Sequence, residues 1–437
     1  MKSQTCLKDF FKYTSLNILG MIGVSFYILA DTFFVSKGLG IKGLAALNLA
    51  LPLYSFMDGC GLMIGMGGGT KYSIQKSTGN DTAANRIFTN AVMLSTLFSA
   101  FFMLTACLFL GSILSFFGAR GEVLTLSKTY LSIILLFAPA FLLNYMLLAF
   151  VRNDGAPQLS MAAMIGGSLS NVFLDWVFIF PCRMGIFGAS LATGLAPVIS
   201  ILILSPHLIR KKNGFHFIRC KASLRLFFEI ITTGIPSLIT EMSSAITMIV
   251  FNSIMLRLKG NVGVAAYSVI ANLSLVVIAI YNGLAQGTQP LISSNYGIQN
   301  KKNIHSLLRY ALTAVFLLSA VVYTVIFFGA GQITSLFNSE HDLLLQSIAT
   351  EGLRLYFTAC PFAGFNVIMS IYFSSIERPA PAHIISILRG FVIIVPMAFL
   401  LSAIANINGA WCAFPVTEFL TALIGLFLLL KSLLATP

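Results

Sequence analysis

The sequence predicts an all-α polytopic membrane protein, with twelve transmembrane helices in two six-helix bundles related by internal duplication. Three observations lead there. Of its 437 residues, 57% are hydrophobic and 9% charged, where soluble domains carry about 25% charge; mean hydropathy is +0.90. Apolar runs of about twenty residues, the length of a helix that crosses hydrocarbon, recur along the chain. Backbone in lipid must satisfy its own hydrogen bonds, which leaves helices or closed barrels, and the runs do not alternate as barrel strands would. Finally, short motifs return at a nearly constant offset.

The spans are expected at 13–35, 46–70, 88–117, 129–151, 158–181, 187–209, 227–256, 264–291, 306–329, 349–374, 381–404 and 409–431. Lys2, Lys8 and Lys12 precede the first, which does not look like a cleaved signal. Twelve spans place both termini on one side. Nineteen of the 27 Lys and Arg fall on that side, Arg152 and Arg389 counted among them. The excess predicts cytoplasmic termini. The densest basic stretch, Arg210 to Arg225, lies mid-chain. The expected organisation is therefore an N-terminal bundle at 1–210, a basic cytoplasmic linker at 211–226 and a C-terminal bundle at 227–437. GLMIG at Gly61–Gly65 answers GLAQG at Gly283–Gly287, AALNLA at Ala45–Ala50 answers AAYSVI at Ala265–Ile270, and GAS at Gly188–Ser190 answers GAW at Gly409–Trp411. The shifts are 222, 220 and 221 residues. An even number of spans per half makes the repeat parallel, a plan that puts a path between rocking halves.

Several classes are excluded. The net charge of +13 follows from basic loops and a missing soluble surface, so no nucleic-acid partner is expected. Seven scattered cysteines without a CxxC pair suggest neither disulfides nor zinc. Gly65–Gly69 lacks the Lys-Ser/Thr ending and preceding strand of a phosphate loop; its glycines are expected to permit close helix contacts or a bend. No clustered Asp motif, HExxH or placed Ser/His pair suggests an enzyme or a cofactor, and His207, His216, His305, His341 and His383 fall at loops or span ends. A channel is not excluded in the same way; the duplicated bundles and the absence of a filter motif argue against one.

Charged side chains in hydrocarbon are costly and tend to carry function. Five of the fourteen acids lie within spans: Asp31, Asp58, Asp175, Glu241 and Glu418. Asp31, Asp175 and Thr193 each lie five or six residues from the outer end of their spans, roughly 7–10 Å deep at 1.5 Å per residue. Asn171 precedes Asp175 by four residues and shares its helix face. Two carboxylates, an amide oxygen and a hydroxyl at one depth suit a hard cation such as Na+. The same set suits a proton if the two acids are close, because neighbouring carboxylates do not both ionise readily. At the repeat shift Asp31 maps to Asn252 and Asp175 to Pro396, so bundle symmetry does not account for the acids. The alternative is a buried polar network that locks helix packing. Asn144 is a further candidate from segment 4. Glu241, with Glu418, is a candidate for the central cavity, attracting cationic substrates; Asp58 would face the cavity, line a proton path or bond a neighbouring helix. Pro52, Pro139, Pro236, Pro290, Pro361 and Pro396 are candidate bend points. The 16 Met and 38 Phe permit a soft apolar chamber.

Over nearly its whole length the chain resembles the multidrug and toxic compound extrusion (MATE) transporters. The resemblance rests on DTFFVSKGLGIKGLAALNLALP from Asp31, GLMIGMGGGTKYSIQKSTGN, GLAQGTQPLISSNYG, FVRNDGAPQLSM, NVFLDWVFIF, GIFGASLAT and GIPSLITE at Gly234–Glu241. The RNDGAP form points to the bacterial MepA-like branch. The resemblance implies an antiporter that exports cationic or amphipathic organic compounds in exchange for Na+ or H+, and it matches Asp31, Asn171, Asp175 and Thr193 to the family's N-lobe cation site. It also implies a cation or substrate role at Glu241 in some branches. One branch pairs that position with an aspartate in the tenth helix, and segment 10 has none between Leu355 and Ser374. A flippase for lipid-linked saccharides, from the wider superfamily, is the alternative. It would need cavity cations to meet a pyrophosphate, and the spans hold few Lys or Arg. Organic cations and membrane lipids are thus the expected partners of a monomer in the bacterial cytoplasmic membrane.

Overall fold

The computed structural model describes residues 3–338 and 342–434, apart from the side chains of residues 3–5 and 41. Lys2 and His341 lie outside the described residues. Helix dominates, and no strand occurs among the described residues.

The helices are α1 (Cys6–Gly40), α2 (Lys42–Ser77), α3 (Asp81–Leu108, continued by Leu110–Phe116), α4 (Gly121–Leu136 and Ala138–Asn153, bent by 50°), α5 (Pro157–Ile179) and α6 (Gly185–Ile209). The second half has α7 (224–259) and α8 (261–297), joined at Gly260, then α9 (Lys301–Phe337) and α10 (Leu343–Ser375). Last come α11 (379–404) and α12 (407–434), separated by a break at Ala405 and Asn406. Twelve spans result. They run past the expected limits because hydropathy marks only the hydrocarbon slab, while nothing in the flanking sequence stops the helix. Each half's third helix opens on an asparagine cap: Asn80 accepts from the Ala83 amide and Asn300 from the Asn303 amide. Such caps satisfy donors left bare in the first turn.

The duplication is written in the backbone. Left-handed residues occur in corresponding pairs: Gly40 and Gly260, Gly79 and Gln299, Gly155 and Glu377, Gly185 and Asn406. Their separations are 220, 220, 222 and 221 residues, the offset that the motifs show. Gly40 (φ 65, ψ −156) and Gly260 (φ 61, ψ −147) adopt nearly one conformation, which a Cβ disfavours.

Two of the six prolines sit at helix breaks. Pro139 opens the second part of α4 and Pro361 follows a 3₁₀ turn, Phe357–Ala359, within α10. In α11 a π-helical turn, Leu388–Val392, precedes Pro396. All seven cysteines are free.

Two apolar cores follow the halves, with Cys6 and Phe10 of α1 packed into the core of the second half and Ile230 of α7 into that of the first. The halves meet along two seams, α1 against α8 and α2 against α7. Both seams use the ends of these helices nearest the termini. Asn17 donates to the Gly283 carbonyl at 2.9 Å, Ser73 to the Pro290 carbonyl at 3.3 Å, and Lys71 pairs with Glu377 at 2.6 Å. Asn153 and Gln289 bond each other through both amide groups, and Gln289 also donates to Thr70. Above this floor the halves part around a cavity.

The segment between the halves is stitched to α3. The amides of His216, Ile218 and Ser223 donate to Asn85, Thr89 and Asn90. Phe215 is fully buried among Tyr72, Phe88 and Phe150. Asp154 of the RNDGAP motif collects Tyr72, His207 and the Gly214 amide.

Candidate functional site

Four helices of the first half bring a polar cluster together in an apolar surround. Asp31 comes from α1, Asn171 and Asp175 from one face of α5, Thr193 from α6, and all four are buried. The carboxyl groups of Asp31 and Asp175 face each other. Asn171 Nδ2 reaches Thr193 Oγ1 at 3.5 Å. Tyr130 of α4 also meets Thr193, a member that no sequence pattern singled out. Asp31 Oδ1, Asn171 Oδ1 and both Asp175 carboxyl oxygens are buried without a hydrogen-bond donor. Buried charge without a partner is among the most costly arrangements a fold contains. An oxygen-rich cluster of this kind has the chemistry to take a cation or a proton.

Thr193 also lines the central cavity, of about 290 Å³, so cluster and cavity adjoin. Asn144 lies on the cavity wall, its Oδ1 buried without a donor. Asp58 from α2 and Glu241 from α7 approach each other from opposite halves. Tyr145 donates to Asp58 Oδ2 at 3.3 Å and Tyr54 reaches the same carboxylate. Glu241 is half-buried and has no ion-pair partner among the described residues.

Glu418 is in a different situation. Arg389, carried into the cavity wall by the π-helical turn of α11, binds Glu418 Oε1 through Nη2 at 2.8 Å and Nε at 3.1 Å. Asn366 of α10 donates to Glu418 Oε2 at 2.7 Å and to its carbonyl at 2.9 Å. The carboxylate is 1% exposed and neutralised. Removing one partner of such a pair leaves an uncompensated charge and costs about 3–5 kcal/mol, whereas replacing both by apolar groups is often neutral. Arg389→Met should therefore lower the melting temperature in detergent sharply, and Arg389→Met with Glu418→Leu should restore most of it. Equal losses in the single and double variants would refute this account of the pair.

Two expectations need correction. Arg152 and Arg389, counted with the loop cations, both line the cavity. The charge rule treats arginines on the terminal side as surface residues, but buried amides and a carboxylate solvate these two. The scarcity of cavity cations, on which the flippase reading was set aside, is accordingly less complete than the sequence suggested.

A duplicated bundle of twelve apolar helices enclosing a cavity between its halves defines a multi-pass membrane transporter. The chain matches the MatE family over residues 17–177 and again over 236–400, once in each half, and it belongs to that family. It is 25% identical over 411 residues to the multidrug export protein MepA of Staphylococcus saprophyticus, covering 93% of this chain and 88% of that one. The same protein of Staphylococcus aureus is 24% identical over 408 residues, covering 93% and 89%. Among solved structures, a MATE protein in complex with MaL6 superposes with a TM-score of 0.91 at 24% identity, over 98% of this chain and 97% of that one. A transporter of Pyrococcus furiosus, described as having a binding pocket of reversed polarity, superposes at 0.89 with 24% identity and the same coverage.

Proposed function

We propose that this protein is a secondary antiporter that exports cationic or amphipathic organic compounds in exchange for Na+ or H+ by alternating access. The observation that carries this reading is the cluster of four donor-less oxygens from Asp31, Asn171 and Asp175, joined through Thr193 to the cavity. A coupling ion at the cluster and cargo in the cavity share a wall, so occupancy of one alters the other. Asp58 and Glu241 give the chamber a negative face for an organic cation. The relatives' name, multidrug export protein, fits the same activity. In this reading the halves at 1–210 and 227–437 rock about the 211–226 segment in a monomer surrounded by lipid. The membrane is the bacterial cytoplasmic one, with both termini inside.

Purified protein in liposomes tests this. An imposed Na+ gradient and an imposed pH gradient are applied separately, and uptake of a fluorescent organic cation is followed. One of the two gradients is expected to drive uptake, naming the ion. If neither moves any organic cation, the export reading falls and the lipid-linked saccharide flippase takes its place.

A further inference from the structure

At the cavity floor stands a cation that no carboxylate among the described residues neutralises. Arg152 leaves the last turn of α4, is 3% exposed and lines the cavity. Its Nη1 donates to Asn17 Oδ1 at 2.9 Å and Gln286 Oε1 at 3.3 Å. Its Nη2 meets only the Met66 sulfur, at 3.5 Å, and its Nε has no acceptor. None of the ion pairs among the described residues includes it. Arg389, in the same cavity, has its Nε and Nη2 edge occupied by Glu418.

The pattern of satisfied and bare nitrogens is directional. Nε and Nη2 form one edge of the guanidinium, the edge that takes a carboxylate side-on through two parallel bonds. The neutral amides of Asn17 and Gln286 hold the remaining nitrogen and fix the plane. Facing the free edge is a thioether, a weak acceptor on a flexible, unbranched stem that can swing aside. Met66 itself lines the cavity. A buried guanidinium without a counter-ion is costly, and an acidic group on a bound molecule would relieve that cost.

We infer that Arg152 is a recognition site for a carboxylate on the transported compound, so that the preferred cargo is zwitterionic. Its cationic centre faces Asp58 and Glu241, and its acid docks on the Nε–Nη2 edge of Arg152. This rests on the reading of the cavity as a cargo chamber. It differs from that reading in naming an anionic group on a cargo otherwise expected to be cationic.

A matched pair of dyes separates the two: a rhodamine with a free carboxylate, which is zwitterionic, and the methyl ester of the same dye, which is cationic. Binding to the purified wild-type protein is expected to favour the free acid severalfold. Arg152→Gln should weaken the acid by about 10- to 100-fold, as expected for losing bonds between charged groups, and leave the ester within about twofold. Arg152→Lys, which keeps the charge and loses the fork, should fall between. If the wild type binds the ester as tightly as the acid, the inference is wrong whatever the variants do. If Arg152→Gln weakens both dyes equally, Arg152 is a strap between the halves through Gln286, and the inference is again wrong. Export of the ester without any preference for the acid would leave the export reading standing alone. Failure of the wild type to bind or move either dye would remove both.

Discussion

Asp175→Asn and Asp31→Asn are each expected to abolish gradient-driven uptake while leaving the protein folded. Asparagine keeps the shape of the side chain and a carbonyl oxygen, so packing against Asn171 and Thr193 survives. What is lost is one unit of negative charge in a buried site. At about 4 Å and an effective dielectric of 20, that charge contributes about 4 kcal/mol, roughly a thousandfold in cation affinity. The two carboxyl groups face each other, so they act as one unit and the double variant should be scarcely worse than either single one. Asn171→Ala identifies the ion independently. A sodium ion needs the neutral amide oxygen as a ligand, whereas a proton resides on the carboxyl pair and does not. Loss of Na+-driven uptake in Asn171→Ala marks a sodium site; near-normal proton-driven uptake marks a proton site. Normal coupling in Asp175→Asn would show that the cluster is structural, and Glu241 would become the next candidate.

How much of this was legible in the sequence depends on what each feature is made of. The twelve spans and the duplication rest on long apolar runs and on motifs shared between halves, and both survive in one dimension. The Asp31, Asn171, Asp175 and Thr193 cluster was legible because acids are scarce in hydrocarbon and because depth can be counted in residues. Tyr130 was not, since a tyrosine in an apolar run carries no mark of which way it faces. Arg389 was counted with the loop cations; only the π-helical turn, which leaves no clear trace in composition, rotates it onto Glu418. Asn366 stands in segment 10, the helix searched for an aspartate, but its partner lies 52 residues away. Arg152 sits in the RNDGAP motif, yet its bare edge becomes visible only when Asn17 and Gln286 arrive from other helices. The opposition of Asp58 and Glu241 likewise needs the two halves brought face to face. Residue types and depths are properties of the chain, but pairings across the cavity belong to the fold.

The seams predict the other large effect: Gly67→Val and Gly234→Val should drive the halves apart on the side of the termini. A Cβ on Gly67 would lie 2.0 Å from the Ile230 carbonyl oxygen, and one on Gly234 would lie 1.9 Å from that of Met63. These are backbone atoms of facing helices, so no rotamer change relieves the clash and α2 must move from α7. Small residues at helix contacts serve this close approach, which accounts for part of the GMGGG run. The second seam repeats the device, with Gly287 closing on Tyr13 and Gly283 on Ile18 of α1. Overpacking of a fitted interface costs about 1–3 kcal/mol, which shifts a two-state ratio by roughly 5- to 150-fold. The penalty applies only to the arrangement in which the seam is closed, so the opposite arrangement gains population and the transport cycle slows by a comparable factor. Spin labels at Thr78 and Gln299, both exposed at the terminal side, report the change as a longer distance between them. Gly111→Val is the control, because nothing lies within 4 Å of a Cβ at that position. Unchanged label distance and unchanged uptake in Gly234→Val would mean that the α2–α7 seam does not hold the cavity shut. A lengthened distance with uptake lost would identify the glycine seam as the gate on which alternating access turns.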